Sequence, residues 1–239
     1  GNNNIIQFVY GDNNINQVKQ VKLNFNSIKL GNKELSNKYS LDDKELKSIS
    51  SKSKVSVGKL KKANNDYIKE LKSLRNQFRI IQKLHNLNYK TLTTSFPIPV
   101  DIKRLINNER YKIYSEDKNT TCNPEYILDK IKHLVNCENT KYIYMTASQI
   151  KDKSLLINKD ESIGKTLFKY SLYEFLCPKK IIMEYKLSKF KFDKVIDNII
   201  SGFKDSVVDA GEMVGGLAAQ HIGEPSTQMS TSFDTIITC

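Results

Sequence analysis

The sequence lacks paired cysteines, long apolar runs and a signal sequence, the features that would indicate a zinc-binding, membrane or secreted protein. Its four cysteines show no C-x-x-C spacing, so the ligand framework of a structural zinc site is missing. No apolar run approaches the roughly 20 residues of a membrane-spanning helix, and no apolar stretch near the start predicts a secretory signal. The polar N-terminus also lacks an initiator Met. We therefore expect reduced thiols, no membrane partner, and a piece of a longer protein.

Positive charge dominates the composition. The 239 residues carry a formal net charge of +12, and Lys and Arg bind phosphates with release of counterions. A nucleic-acid partner would fit this charge. Lys is far more abundant than Arg, and a solvated Lys-rich surface would give the same balance. Composition alone leaves both interpretations open.

Hydrophobic periodicity predicts a fold that is mainly α with minor β. Apolar residues recur every three or four positions over about 58–87, which indicates a long helix with one buried face. Asp101 and Asn123 can cap two further helices, the second with proline at its first position. Another helix is predicted over 163–175, and the clearest helical period starts at Phe192.

The remaining segments are predicted to be extended or irregular. Short strand-like runs occupy 5–10 and 142–145. Residues 97–100 contain two prolines and must be extended, because proline disfavours a helical residue before it. Residues 31–57 are rich in Ser, Lys and Asn, and we expect an exposed connection there.

Residues 209–229 carry the most informative pattern, DAGEMVGGLAAQHIGEPSTQM. The part to residue 220 is compatible with a helix capped by Asp209, yet Gly and Ala are concentrated in it. Each glycine destabilises a helix by about 1 kcal/mol relative to alanine. Small residues permit close approach of another backbone or a ligand, and we expect them to serve such a contact here. Gly223 is placed to end the helix in a left-handed conformation. Pro225 prevents the helix from resuming unbroken.

The polar stretch that follows, 226–232, is rich in hydroxyl groups. Such a stretch can change between loop and helix at small energetic difference, as closing lids do. A buried packing helix followed by a tail is the alternative that these residues allow by themselves.

The 209–229 segment closely resembles the motif G-E-x-V-G-x-x-A-A-Q-S-I-G-E-P-x-T-Q-M of the largest subunit of multisubunit RNA polymerases, which leads into the trigger loop. Three further segments resemble RNA polymerase II: IQFVYGD at 6–12, PIPVDIKRLI at 97–106, and IMEYKLSKFKFD at 182–193. Residues 31–95 match loosely. The intermediate segments favour RNA polymerase II and its viral relatives.

This resemblance implies the multi-helix foot and cleft region of the subunit. On that basis residues 1–30 would follow the bridge helix, 31–190 would form a foot-like helical domain, and 191–239 would supply cleft helices and the base of the trigger loop. The residues expected to form the hinge and its packing are Gly215, Gly216, Ala218, Ala219, Gln220, Gly223, Glu224 and Pro225.

The resemblance also implies nucleotidyl transfer assisted by Mg²⁺ ions. The family holds these ions on a D-x-D-x-D loop that is absent here, so this chain is not expected to catalyse the reaction by itself or to bind the metal. Implied partners are the other polymerase subunits, including the second-largest, the DNA template and RNA–DNA hybrid, the NTP, and transcription factors on the foot. The implied location is the nucleus, or the cytoplasm or virion for a viral enzyme.

The expected nucleotide contacts lie at the C-terminal end. Gln228 matches the family position that contacts the nucleotide sugar, and its amide can donate and accept hydrogen bonds. Beyond Met229 the sequence departs from the family's T-L-N-T-F-H. Thr231 and Asp234 take the Asn and His positions if one gap is allowed, and Ser232 and Thr235 take them without a gap. A carboxylate beside a triphosphate would repel it. This departure leaves open a non-catalytic docking module with a degenerate trigger loop.

Overall fold

The computed structural model describes residues 15–53, 55–85, 92–115, 117, 120–141, 156–209, 212–213, 215–216 and 218–224. They belong to two compact units, Gly1–Val207 and Val208–Cys239. In the described ranges, no helix has the length and apolar character needed to cross a membrane.

The first unit is built mainly from α-helices, as the periodicity predicted. The helices are α1 Asn32–Tyr39, α2 Asp43–Ser53, α3 Val57–His85, α4 Ile102–Tyr111, α5 Pro124–Asn136, α6 Leu156–Phe175 and α7 Lys189–Ser206. This unit also contains short 3-10 turns at Gln17–Lys19, Asn26–Ile28 and Glu138–Thr140, and a π-helical turn at Lys180–Glu184.

The β structure consists of two short antiparallel strands, β1 Val21–Asn24 and β2 Ser95–Ile98. Val21 lies opposite Ile98, and the Phe25 amide extends the pairing by donating to the Thr94 carbonyl at 2.8 Å. Pro97 has no amide hydrogen to donate, which a strand with a free edge tolerates. The extended conformation predicted from the prolines is thus confirmed for residues 97 and 98.

Helix α3 forms the centre of the core. It packs against α1, α2, α5 and α6, and the buried residues of its inner face follow the predicted helical spacing: Leu60, Tyr67, Leu71, Leu74 and Phe78. Tyr170 of α6 stacks between Phe78 and Phe25, with ring centroids 5.1 and 5.0 Å away. Its hydroxyl lies 2.5 Å from Ser27 Oγ, so this buried polar group is satisfied.

The prediction of an exposed connection over 31–57 is wrong. Helices α1 and α2 occupy most of that range, and Leu35, Tyr39, Leu46 and Ile49 are buried. The apolar residues are few but stand four or three positions apart, enough to give each short helix one buried edge. The many polar residues lie on the remaining faces.

The predicted helix starts are confirmed in part. The Asp101 carboxylate caps α4 by accepting from the Arg104 amide at 3.0 Å. Pro124 stands at the start of α5 as expected, but Asn123 makes no side-chain cap, and its Oδ1 is buried without a hydrogen-bond partner among the described residues. Helix α6 begins at Leu156, earlier than predicted. The predicted strands at 5–10 and 142–145 lie outside the described residues.

A tight turn joins the π-helical segment to α7. The Tyr185 amide donates to the Lys180 carbonyl at 2.9 Å, and the Leu187 amide donates to the Ile181 carbonyl at 3.1 Å. Lys186 between them has φ of 50°, a left-handed conformation that costs a residue with a side chain roughly 1–2 kcal/mol. Glycine would be the unstrained choice at this position.

Arg75 of α3 provides a test of this core. Its side chain is 1% exposed, and its guanidinium donates to the Leu30 carbonyl at 2.9 Å and to the Asn76 side chain. We expect Arg75→Met to lower the free energy of unfolding by about 2 kcal/mol, because the hydrogen bonds that this buried guanidinium makes to the Leu30 carbonyl and the Asn76 side chain are lost. Urea unfolding of the chain measures this.

The matched control is Lys69→Met, which removes a cation from an exposed position of the same helix. Its free energy of unfolding should stay close to that of the unchanged chain. Equal effects of the two substitutions would show that the Arg75 hydrogen bonds do not stabilise the fold.

Candidate functional site

The C-terminal end of α7 is tied to residues far away in the sequence. The Ser206 carbonyl accepts a hydrogen bond from the Asn16 amide at 2.8 Å, and Lys19 Nζ donates to the Asp205 carbonyl at 2.6 Å. Ile15 and Val207 form an antiparallel bridge beside these contacts. Residues 15–19 therefore hold the point at which α7 ends.

Local chemistry explains this arrangement. Asn16 Oδ1 accepts from the Val18 amide at 3.0 Å and so caps the 3-10 turn that carries Lys19. The last carbonyls of a helix have no partner within the helix, and the negative end of the helix dipole favours a cation there. The Lys19 ammonium supplies both a donor and a positive charge.

The body of α7 is fixed by packing. Phe203 is buried with its ring centroid 5.0 Å from that of Phe168, and the Ser206 hydroxyl donates to the Phe203 carbonyl at 2.6 Å. A Cβ added at Gly202 would meet Cγ1 of Val100 at 3.4 Å, an ordinary van der Waals distance, so Gly202 lies directly against Val100. The sequence contained no signal that singled out Gly202.

A buried carboxylate joins α4 to α7. Glu109 accepts hydrogen bonds from Lys112 Nζ at 2.6 Å and from Asn198 Nδ2 at 3.1 Å. The Tyr114 hydroxyl donates to its other oxygen at 2.5 Å. Burial raises the pKa of this carboxyl, but the hydrogen bonds outweigh that effect and the pKa lies below its usual value. The group is therefore a charged structural link at neutral pH.

The motif segment belongs to the second unit. Residues 215–216 and 218–224 are helical and exposed, and 212–213 precede the helix. The Glu212 amide donates to the Asp209 carbonyl at 3.2 Å, which forms a turn where the helix start was expected. The prediction that Gly223 ends the helix in a left-handed conformation is wrong, because Gly223 and Glu224 are both helical.

The glycines of this helix leave room for a side chain. A Cβ built on Gly215, Gly216 or Gly223 would meet no atom within 4 Å. Close packing at these positions therefore stays a prediction that requires another surface. Four other predicted positions lie outside the described residues: Pro225, Gln228, Thr231 and Asp234.

The described residues offer no group of three or more His, Cys, Asp or Glu side chains that could hold a metal ion. Burial raises the pKa of the Cys122 thiol to about 12, and it also raises the pKa of Cys177. Both thiols are therefore protonated at neutral pH, and a protonated thiol is a poor nucleophile and metal ligand.

Comparison with known families assigns this helical unit to a protein family. The family model of RNA polymerase Rpb1, domain 6, matches residues 18–206. The chain belongs to this family. The match begins within the Gln17–Lys19 turn and ends on the last residue of α7, so the Rpb1 domain 6 segment corresponds to nearly all described residues of the first unit.

Two groups of relatives extend the comparison. DNA-directed RNA polymerase subunit 1 of Acanthamoeba polyphaga mimivirus is 34% identical over 232 residues, which cover 95% of this chain and 15% of the relative. The RPB1-A and RPB1-B subunits of DNA-directed RNA polymerase II from Trypanosoma brucei brucei are each 29% identical over 136 residues, covering 56% of this chain and 8% of theirs. The chain thus spans a small part of the length of these relatives.

The motif segment lies beyond the Rpb1 domain 6 match. The mimivirus alignment nevertheless reaches it, because the whole of 209–229 cannot fit into the 5% of the chain that the alignment leaves out. The similarity therefore continues from the anchored helix into at least part of the segment that carries the small residues.

The contact between Lys19 and the end of α7 can be tested in solution. We expect Lys19→Glu to lower the free energy of unfolding by about 1 kcal/mol, because a carboxylate at a helix C-terminus opposes the helix dipole. Hydrogen exchange of the amides at 204–207 should become faster.

Lys22→Glu is the matched control, since it makes the same charge change at a nearby exposed residue. Exchange at 204–207 should then stay unchanged. Equally faster exchange in both variants would show that overall charge, rather than this hydrogen bond, holds the end of α7.

Proposed function

We propose that the chain is a section of the largest subunit of a DNA-dependent RNA polymerase. In this role it supports the cleft and holds the base of the trigger loop, which closes on the incoming NTP during RNA synthesis. The observation that carries the proposal is the anchored end of α7, at residues 205–207, followed directly by the motif segment 209–229.

A closing loop needs a base that does not move with it. The contacts of residues 15–19 with the end of α7 provide such a base. In the exposed helix beyond it, a Cβ added at Gly215 or Gly216 would meet no atom within 4 Å. Segments with few packed contacts open and rearrange at low free-energy cost. A fixed anchor next to a loosely held segment is the arrangement expected of a hinged loop.

Within the whole enzyme, two Mg²⁺ ions would assist attack of the RNA 3′ hydroxyl on the α-phosphate of the NTP. Their ligands lie outside this chain, and the second-largest subunit, the DNA template and the RNA–DNA hybrid complete the site. This chain would contribute positioning and exclusion of water when the loop closes. Gln228 would bind the nucleotide sugar.

The tip of the loop would act without a cationic side chain next to the phosphates. Thr231 can donate a hydrogen bond from its hydroxyl, whereas Asp234 cannot donate at neutral pH in its ionised form. The proposed closure therefore depends on Gln228 and on hydroxyl groups of the tip. The relatives come from a virus and from a eukaryote, so the proposed locations are the nucleus or, for a viral enzyme, the cytoplasm or virion.

Removing the Gln228 amide tests the nucleotide contact. In the intact enzyme, Gln228→Ala should slow elongation at low NTP concentration by about tenfold, the effect of losing one hydrogen bond made in the closed state. Transient-state measurement of single-nucleotide addition gives this rate, and copurification of the second-largest subunit reports assembly.

Gln77→Ala, at an exposed position of α3, is the control and should elongate normally. An unchanged rate for Gln228→Ala in an assembled enzyme would contradict the trigger-loop role. That result would favour the alternative of a non-catalytic docking module.

Replacing the small residues tests their packing. In the separate chain, Gly215→Leu and Gly216→Leu meet open space and raise helix propensity, so the fold should be retained. In the assembled enzyme, the larger side chain would enter a close contact, and elongation or assembly should be impaired. Circular dichroism of the chain and elongation by the enzyme are the two measurements.

Gly164→Leu makes the same change at another helical glycine with no atom within 4 Å of an added Cβ. It should leave both measurements unchanged. Full activity of the Gly215 and Gly216 variants would show that these glycines do not serve close packing.

A further inference from the structure

A pocket of about 300 Å³ lies beside the π-helical turn, on a surface that the trigger-loop proposal does not use. Helix α2 forms one wall, and the other walls come from residues around Cys122 and from the turn itself. The lining residues that matter for its chemistry are Ile49, Cys122, Ile182, Met183, Lys186 and Leu187.

The pocket has an apolar floor and an open rim. Ile49, Cys122 and Leu187 are buried, whereas Met183 is 39% exposed and Lys186 is exposed. Methionine adapts its shape to different partners and is common on binding surfaces. A ligand could therefore reach the floor from solvent between these two rim residues.

The walls are held in place before anything binds. The Lys189 amide donates to the Thr120 carbonyl at 2.9 Å, and Thr121 forms a bridge with Ser188. The Ser188 hydroxyl donates to Asp117 at 2.8 Å. A pocket built on such fixed segments loses little conformational entropy when it is filled.

Lys186 is the residue of the pocket that most strongly indicates ligand binding. It adopts φ of 50° at the rim, where glycine would fit without strain, so this position carries a side chain that its backbone conformation disfavours. Strained residues of this kind concentrate at ligand-binding sites. Among the described residues, Lys186 makes no ion pair.

The residues that line the pocket carry a single charge, while the neighbouring Asp117 carboxylate accepts a hydrogen bond from the Ser188 hydroxyl. The pocket lining contains the Lys186 ammonium and no carboxylate. A second cation lies on the far side of the turn, where the Arg110 guanidinium is stacked 5.8 Å from the ring centroid of Tyr185. An apolar floor beside unpaired positive charge is complementary to a ligand that combines an apolar group with a carboxylate.

We propose that this pocket docks an acidic segment of a partner protein, with an aliphatic or aromatic side chain inserted against Ile182 and Met183 and an adjacent carboxylate paired with Lys186. The volume is at the low end for ligand sites and suits one inserted side chain. Nucleic acid fits less well, because one cation over an apolar floor neutralises few phosphates.

Photo-crosslinking in the intact polymerase tests this docking site. With Met183→benzoylphenylalanine, we expect irradiation to join the chain to a peptide of another subunit or bound factor that has Asp or Glu beside the attached residue. Mass spectrometry identifies that peptide. A crosslink to nucleic acid, to the rest of the largest subunit or to a peptide without acidic residues would overturn the proposal, and so would the absence of any crosslink.

Charge reversal tests the role of Lys186. Combined with the crosslinker, Lys186→Glu should lower the yield roughly tenfold, and changing the identified acidic residue to Lys should restore it. Lys132→Glu, at an exposed position of α5 outside the pocket, is the control and should leave the yield unchanged. Equal yields for Lys186→Glu and the unchanged enzyme would overturn the pairing.

Lys186→Gly separates charge from folding. It relieves the left-handed conformation, so the melting temperature should not fall, yet the crosslink yield should decrease because the ammonium is gone. A retained yield would contradict the proposal. Elongation should be normal in both Lys186 variants. The trigger-loop proposal is tested separately by Gln228→Ala, so failure of one proposal is distinguishable from failure of the other.

Discussion

The structure depends on the burial of one face of α3. The chain is polar overall, with a mean hydropathy of −0.48, and this helix brings together the apolar edges of α1, α2, α5 and α6. Short helices such as α1 and α2 are marginal in isolation, and most helical stability in proteins comes from packing. The α3 surface contributes to the burial of Leu35, Tyr39, Leu46 and Ile49.

The same helix orders the N-terminal part of the unit. Arg79 Nε donates to the Ile28 carbonyl at 2.7 Å, and Arg75 donates to the Leu30 carbonyl. These bonds satisfy carbonyls around the Asn26–Ile28 turn, which follows β1. Residues 15–19 precede that strand and contact the end of α7. A path of hydrogen bonds and packing thus leads from the core to the point where the motif segment begins.

Family membership and the functional proposal rest on different parts of the chain. The Rpb1 domain 6 match covers the helical unit and stops at residue 206, whereas the polymerase motif lies at 209–229. The α7 anchor connects the two, since it fixes the last helix of the family domain directly before that motif. The proposed docking pocket lies elsewhere in the family domain, around the junction at 182–189, and serves a separate purpose.

Local patterns predicted α3, α4, α5 and α7 because each combines helical periodicity with a recognisable start or a long apolar face. They failed for α1 and α2, whose apolar residues are too few to stand out until α3 provides a surface. They also failed at Gly223, where a glycine that could end a helix lies inside one. Propensity gives a weak preference, and tertiary context overrides it.

By itself, the sequence determined the mainly α class, the family resemblance and the motif at 209–229, because these depend on residue types at fixed spacing. Tertiary structure alone decided the contact of Lys19 with Asp205, the close approach at Gly202 and the strained turn at Lys186. The first two join residues far apart in the chain, and the third places a lysine where local preference favours glycine. No local pattern can encode such features, because their energies come from groups that meet only after folding.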